Sequence, residues 1–155
     1  MSWRVDKEKE DDIDALVWLS LEGGAFQNQF LGDYFDVQDN AFERDFFYKA
    51  LKDADKELFV AKKQGTVVGM CLISYHEKPW IQLKKVWQID NSCVNEAYRG
   101  QGIGRALVEA ACAEAKKQDI QHITLGVFCK NEGAISFYQK VGFHPLSIKM
   151  ERKLV

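Results

Sequence analysis

The sequence predicts a mixed α/β protein, a sheet of about six or seven strands flanked by about four helices. Two observations carry this. Apolar residues alternate with period two near residues 58–63, 67–74 and 86–94, and recur at helical spacing near 13–21, 41–53 and 103–117. Between the longest predicted strand and the third helix lies Y-R-G-Q-G-I-G-R at 98–105, so a strand, a glycine turn, a helix and a further strand follow in order.

Element by element, W-R-V at 3–5 opens as a short strand. Acidic residues then bunch ahead of Ile13, Leu16, Val17 and Leu21, where a helix dipole favours them, and Gly23-Gly24 is expected to end that helix. Residues 26–40 read as an aromatic, acidic, irregular stretch. A second helix is expected over 41–53, with Phe42, Phe46 or Phe47, Ala50 and Leu51 on its buried side. Strands 58–63 and 67–74 flank K-Q-G-T, a hairpin signature. A loop with Pro79 leads to the strand 86–94, and the glycine turn leads to a helix over 103–117 with Ile103, Ala106, Leu107, Ala110 and Ala111 on one face. Ile123, Leu125 and Val127 alternate as the next strand. Asn131 is placed to cap a short helix over 134–140, and Gly142 to stop it. Residues 147–155, with Ile148, Met150 and Leu154, are expected to close the sheet.

With 155 residues, 46% of them hydrophobic, the chain suits one domain with a substantial core, spanning residues 1–155. Only two prolines and no low-complexity tract leave no sign of a linker. The charged N-terminus lacks the apolar stretch of a signal peptide, and no apolar run approaches the roughly 20 residues of a membrane span. Cys71, Cys93, Cys112 and Cys129 are widely separated among apolar neighbours, which reads as buried free thiols in a reducing, cytoplasmic setting with no metal site. The net charge of −2 is uneven: residues 1–57 hold 15 acids against 7 bases, and the remainder 8 against 14. The overall acidic balance and the lack of an aromatic-basic cluster disfavour nucleic acid, while the basic half suits an anionic ligand and the acidic half a cation.

Three glycines at a helix entrance point to a ligand that approaches the backbone. A dinucleotide turn reads G-x-G-x-x-G, but Arg105 holds the place of its third glycine, and Val127 to Lys130 offer no acid for a ribose. A phosphate loop of the Walker type needs G-K-[ST], which is absent. Backbone N–H groups at such a turn make a nest for a diphosphate, with side chains at 100, 102 and 104 expected to obstruct it and Arg99, Arg105 and Lys130 adding positive charge.

The turn meets the pattern [QR]-x-x-G-x-[GA] with Arg99, Gly102 and Gly104, and Asn131, Phe137-Tyr138 and Gly142-Phe143 follow at a matching distance. In these features residues 86–143 resemble the core of the GCN5-related N-acetyltransferase (GNAT) superfamily. The resemblance implies the GNAT acyl-CoA N-acyltransferase fold, acetyl-CoA as cosubstrate, and direct transfer of its acetyl group to an amine. It implies that Arg99, Gly100, Gln101, Gly102, Ile103, Gly104 and Arg105 hold the pyrophosphate. The backbone of Ser92, Cys93 and Val94 would pair with the pantetheine arm and polarise the thioester carbonyl. Asn131 would lie near the pantetheine or cap its helix, and Tyr138 would protonate the departing thiolate. A homodimer is compatible with the resemblance.

An alkylamine is only about one part in 10³ neutral at pH 7, a handicap of roughly 4–5 kcal/mol, so a base is expected near the acceptor. Asp90 in I-D-N-S-C-V is the leading candidate, alternating with Ser92 and Val94 on one sheet face; His76 and Glu77 are weaker alternates. Cys93 has no His–acid pair to support an acyl-cysteine route. Asp33, Asp36 and Asp39, interleaved with Phe30, Tyr34 and Phe35, suit a cationic amine with an apolar stem, and Trp80 and Trp87 are candidate walls of the same cleft. The leading expectation is a small polyamine-like or aminoglycoside-like acceptor. Protein N-termini or lysines are the alternative within the enzyme class, and a non-catalytic CoA-binding module the alternative outside it.

Overall fold

The computed structural model describes residues 3–7, 12–32, 34–36 and 40–155. Its strands are β1 (Trp3–Lys7), β2 (Lys56–Lys63), β3 (Thr66–Glu77), β4 (Lys85–Val94) and β5 (His122–Leu125). The helices are α1 (Ile13–Leu31), α2 (Asn40–Lys52), α3 (Ile103–Lys117) and α4 (Glu132–Lys140), with a 3-10 turn at Glu96–Tyr98. The strands lie in sequence order in one sheet, antiparallel from β1 to β4 and parallel between β4 and β5. Parallel pairing needs a crossover, and α3 provides it.

Period-two alternation gives the sheet two apolar faces. Leu58, Val60, Met70 and Leu72 face α1 and α2, where Leu16, Leu19 and Phe47 are almost wholly buried. Phe59, Ala61, Cys71, Ile73, Trp87 and Ile89 face the other way, onto Ile103, Leu107 and Ala111 of α3. The two helical layers therefore lie on opposite faces of one sheet. Gln64 and Gly65, both at positive φ, turn β2 into β3 as the K-Q-G-T signature requires.

Three expectations are corrected. Helix α1 runs through Gly23-Gly24 to Leu31. A glycine costs a helix about 1 kcal/mol, but tertiary packing prevails here: a Cβ at Gly23 would already meet the Cys93 Cβ at 3.6 Å, and Leu16 and Leu19 anchor the same helix. The sheet has five strands among the described residues, because residues 143–155 form none. Cys129 is exposed, while Cys71 is buried and Cys93 and Cys112 are half-buried; all four are free.

Strand β1 is tied to the body by charge. Lys7 Nζ lies 2.9 Å from Glu57 on β2 and 2.8 Å from Glu114 on α3. The hydrogen bond from Lys7 lowers the Glu114 carboxyl below its ordinary 4.5. A carboxyl lowered on folding stabilises the fold above its unfolded value and loses that contribution as pH falls through the folded one. Glu114→Gln is therefore expected to be less stable than the parent at pH 7, with the gap closing once pH drops below 4.5, as urea titrations at a series of pH values would read.

Candidate active site

The site forms where β4 outruns β5. The parallel register ends at Ile89↔Leu125, yet β4 continues to Val94, so its β5-side edge is left without a strand over Asp90–Val94. A bulge makes this stretch. Leu72 pairs with Asn91 and Ile73 with Ile89, which leaves Asp90 as the extra residue.

The bulge overturns the expected alternation. Asn91 Nδ2 donates to Ser20 Oγ at 3.1 Å and Cys93 Sγ to the Leu19 carbonyl at 3.4 Å, so both face α1. Asp90 faces the same helical layer through Lys56, whose Nζ lies 3.2 Å from its carboxylate and 6.0 Å from the Phe46 ring of α2. Ser92 and Val94 point to the opposite face, toward Tyr138 and Gly104. Asp90 is thus not a strand-interior acid without a partner: it holds Lys56 and accepts from Gln88 Nε2 at 3.1 Å.

Tyr138 projects from α4 to the free end of β4, where its phenol hydrogen-bonds the Ser92 side chain; Ser92 also reaches the Cys71 thiol. Phe137 and Phe143 pack edge-on against its ring at 5.1 and 5.7 Å. Burial pushes the phenol above its ordinary value of 10, and the Ser92 hydrogen bond offsets only part of that. A proton is therefore held at the end of β4 across the neutral range.

At the other end of the free edge stands the glycine turn. Asn95 starts it by accepting from the Ala97 N–H at 3.0 Å, while its own N–H donates to the Val68 carbonyl at 2.8 Å. Arg99 Nε donates to the Val94 carbonyl at 3.1 Å, and its guanidinium lies 4.9 Å over the Phe26 ring, which fastens the turn to α1. Gly100 and Gly102 have φ of 78° and 82°, a left-handed conformation that other residues adopt at a cost. Gly102 is the N-cap of α3 and brings no side-chain acceptor. The first-turn N–H groups of α3 are thus left for an external anion, and Arg105 is exposed on that same turn.

The three glycines serve different ends. A Cβ on Gly104 would sit in ordinary contact, 3.4 Å from Phe137 and 3.8 Å from Val94, so this position marks where α4 meets α3. Gly102→Ala is expected to cost about 1–2 kcal/mol through backbone strain and to weaken anion binding, whereas Gly104→Ala leaves stability nearly unchanged. Thermal unfolding and CoA titration of the two variants would separate them.

The remaining candidates divide cleanly. Asn131 caps α4, its Oδ1 accepting from the Ala134 N–H at 3.1 Å. Tyr34 and Phe35 of the α1–α2 connection stack edge-on against Phe128, just beyond β5, at 5.2 and 5.8 Å, and Asn28 clamps the Phe35 backbone through both of its side-chain atoms. Asp36 belongs to this segment; Asp33 and Asp39 lie outside the described residues. Trp87 is buried in the α3-side core and Trp80 stands exposed in the β3–β4 loop, at the opposite end of β4 from the glycine turn, so neither walls this site. His76 and Glu77 pair with Val86 and Lys85 at that same far end. The Cys93 thiol is pushed up to about 12, first by burial and then by Glu22, which opposes its use as a nucleophile.

Glu22 went unremarked in the sequence reading. It sits on α1 beside Cys93, and its Oε2 is buried with no hydrogen-bond partner. Only the continuation of α1 across β4 gives it a place at the site.

A mixed sheet whose parallel pair splays, with a glycine-capped helix at one end of the gap and a protonated phenol within reach of it, defines the class of acyl-CoA N-acyltransferases. Residues 23–143 match the Acetyltransferase (GNAT) family, and the chain belongs to that family. YdgE of Bacillus subtilis, an uncharacterized N-acetyltransferase, is 24% identical over 161 residues, 99% of each chain. An uncharacterized N-acetyltransferase of Methanocaldococcus jannaschii is 33% identical over 99 residues, 63% of this chain and 44% of that one. An N-alpha-acetyltransferase of Sulfurisphaera tokodaii is 32% identical over 109 residues, 66% of this chain and 65% of that one. Among solved structures, the tetramutant of the BH1408 protein from Bacillus halodurans shares the fold with a TM-score of 0.87 at 23% identity, covering 97% of this chain and 99% of that one. No helix among the described residues is long and apolar enough to cross a membrane, and no group of three or more His, Cys, Asp or Glu is placed to hold a metal.

Proposed function

We propose that this chain transfers the acetyl group of acetyl-CoA directly to a primary amine of a small, cationic molecule. The observation that carries the reading is the free edge of β4 over Asp90–Val94, with the Tyr138 phenol on one side and the glycine turn at its end. Backbone groups of Ser92, Cys93 and Val94 would pair with the pantetheine arm as an added strand, and the turn from Arg99 to Arg105 would hold the pyrophosphate.

In the step itself the amine nitrogen attacks the thioester carbon, the carbon–sulfur bond breaks, and Tyr138 gives its proton to the leaving sulfur. The amine's proton must go to a carboxylate or to water held by one. Asp90 and Glu22 both lie on the α1–α2 face of β4, opposite Tyr138, which separates a base on one face of the strand from an acid on the other. The Lys56 contact at 3.2 Å and the Gln88 hydrogen bond fix where the Asp90 carboxylate stands.

The aromatic segment Tyr34–Phe35 against Phe128, with Asp36 next to it, supports an acceptor that combines positive charge with an apolar stem. Acetylation of protein N-termini is the second reading, favoured by the N-alpha-acetyltransferase of S. tokodaii among the relatives. Thiol release from acetyl-CoA across polyamines, aminoglycosides and peptide N-termini tests both. Turnover on the small amines with peptides inert is expected, and Asp90→Asn is expected to lower it about 10²-fold at neutral pH. Turnover restricted to peptides would establish the second reading, and tight CoA binding without any turnover would make the chain a binding module.

A further inference from the structure

Asp90 and Glu22 share the α1–α2 face of β4, but only one of them is supplied with partners. Asp90 has both oxygens occupied, Oδ2 by Lys56 Nζ at 3.2 Å and Oδ1 by Gln88 Nε2 at 3.1 Å. Glu22 has a buried Oε2 with no hydrogen-bond partner. A carboxylate oxygen withdrawn from water and left unpaired is costly, so its retention calls for a physical reason.

The run of α1 fixes where this carboxylate stands. The Leu19 carbonyl accepts from the Cys93 thiol at 3.4 Å, and Ser20 Oγ accepts from Asn91 Nδ2 at 3.1 Å. A Cβ at Gly23 would stand 3.6 Å from the Cys93 Cβ. Residues 19–23 therefore lie along Asn91–Cys93, and Glu22 is carried within that stretch, beside the part of β4 that has no strand on its β5 side. Among charged groups, Glu22 acts most strongly on the Cys93 thiol, ahead of Arg99 and Glu43.

Among the described residues no cation completes Glu22 Oε2. Arg99 acts on the same thiol, but its Nε donates to the Val94 carbonyl at 3.1 Å and its guanidinium lies 4.9 Å over the Phe26 ring. Lys56 is paired with Asp90. A ligand can supply the counter-charge, with one restriction. The nitrogen that attacks the thioester must be neutral, so it cannot also be the positive partner. An acceptor with one amine leaves Glu22 unpaired at the moment of attack, whereas an acceptor with a second ammonium does not.

We propose that Glu22 selects the acceptor, its carboxylate holding the second, non-reacting ammonium of a diamine while the first amine attacks. The inference rests on the acetyl transfer proposed above and names its substrate class. The bond changes stay the same: the nitrogen–carbon bond forms, the carbon–sulfur bond breaks, Tyr138 gives its proton to the sulfur, and the attacking amine's proton goes to a carboxylate or to water. The distal ammonium keeps its proton throughout.

The test compares 1,4-diaminobutane with n-pentylamine, which matches it in length and replaces one ammonium by a methyl group. In the parent protein kcat/KM for the diamine should exceed that for the monoamine at least about tenfold, the difference a partly buried charge pair makes, and chiefly through KM. Mass spectrometry should show a single acetylation, because the product has lost one of its two charges. In Glu22→Gln the preference should fall to about one-to-one through a higher KM for the diamine, whereas Glu43→Gln should keep it. The ratio of two acceptors within one variant cancels any general loss of activity. The amide replaces an unpaired buried carboxylate, so this variant should fold at least as stably as the parent. A parent with no preference for the diamine overturns the proposal. So does rapid second acetylation, a preference that survives Glu22→Gln, or one that is lost in Glu43→Gln instead. If neither amine is acetylated, the proposed reaction fails and calorimetry decides the role of Glu22 by itself. The CoA-loaded parent should bind 1,4-diaminobutane at least about tenfold more tightly than n-pentylamine, and Glu22→Gln should not; equal binding of the two by the parent overturns the proposal.

Discussion

Tyr138→Phe is expected to lower kcat by about 10²- to 10⁴-fold, the range a positioned general acid contributes. The KM for acetyl-CoA should change little. The ring is held by Phe137 and Phe143, and phenylalanine keeps those contacts. What is lost is the hydroxyl, its hydrogen bond with Ser92 and its proton. Burial raises this phenol above 10, so the acid stays protonated through the neutral range and its ionisation bears on the rate only at more alkaline pH. The parent's activity should therefore rise with pH as the amine deprotonates, with no falling limb from Tyr138 until above pH 10. Steady-state kinetics of the two proteins over that range checks both statements. A parent-like kcat in the phenylalanine variant would remove Tyr138 from the acid role while leaving the fold assignment intact.

Leu107→Ala is expected to cost about 2–5 kcal/mol of stability, as for other wholly buried leucines. Leu107 has no exposed surface and stands one turn beyond the entrance of α3. Its Cδ1 and the Ile103 Cγ2 would lie 3.2 and 3.1 Å from a Cβ on Gly69, which shows how closely α3 is pressed onto β3. That contact sets the height of the α3 N-terminus above the sheet, and hence where the first-turn N–H groups stand. A cavity under Leu107 should therefore weaken CoA binding as well as stability. Chemical denaturation and CoA titration of the variant measure the two, and unchanged CoA affinity in a destabilised but folded protein would show that the turn is positioned by Gly100 and Gly102 alone.

Much of the fold was legible because its signals are local. The hairpin at Gln64-Gly65, the span of α3, the cap at Asn131 and the run of strands each rest on neighbours within a few residues. Register along the glycine turn was enough to separate it from dinucleotide and Walker loops; that Tyr138 stands beside Ser92 at the end of β4 is shown only by the structure. The errors share one cause. Gly23-Gly24 reads as a stop, but α1 is held by contacts with β4, far away in the chain. Asp90 reads as alternating with Ser92, but a bulge against β3 reverses the faces. Trp87 reads as a cleft wall, but its strand points it into the core.

What residue order determines for this protein is the glycine turn and its family signature: glycines at a helix entrance, no capping side chain there and a downstream tyrosine are properties of short segments. The tertiary structure alone decides the face of β4 to which each side chain points, the place of Glu22 beside it, and, among the described residues, the absence of a sixth strand beside β5. Those depend on how distant segments pack, since one extra residue in a strand exchanges its two faces and only the assembled sheet shows which edge is left unpaired.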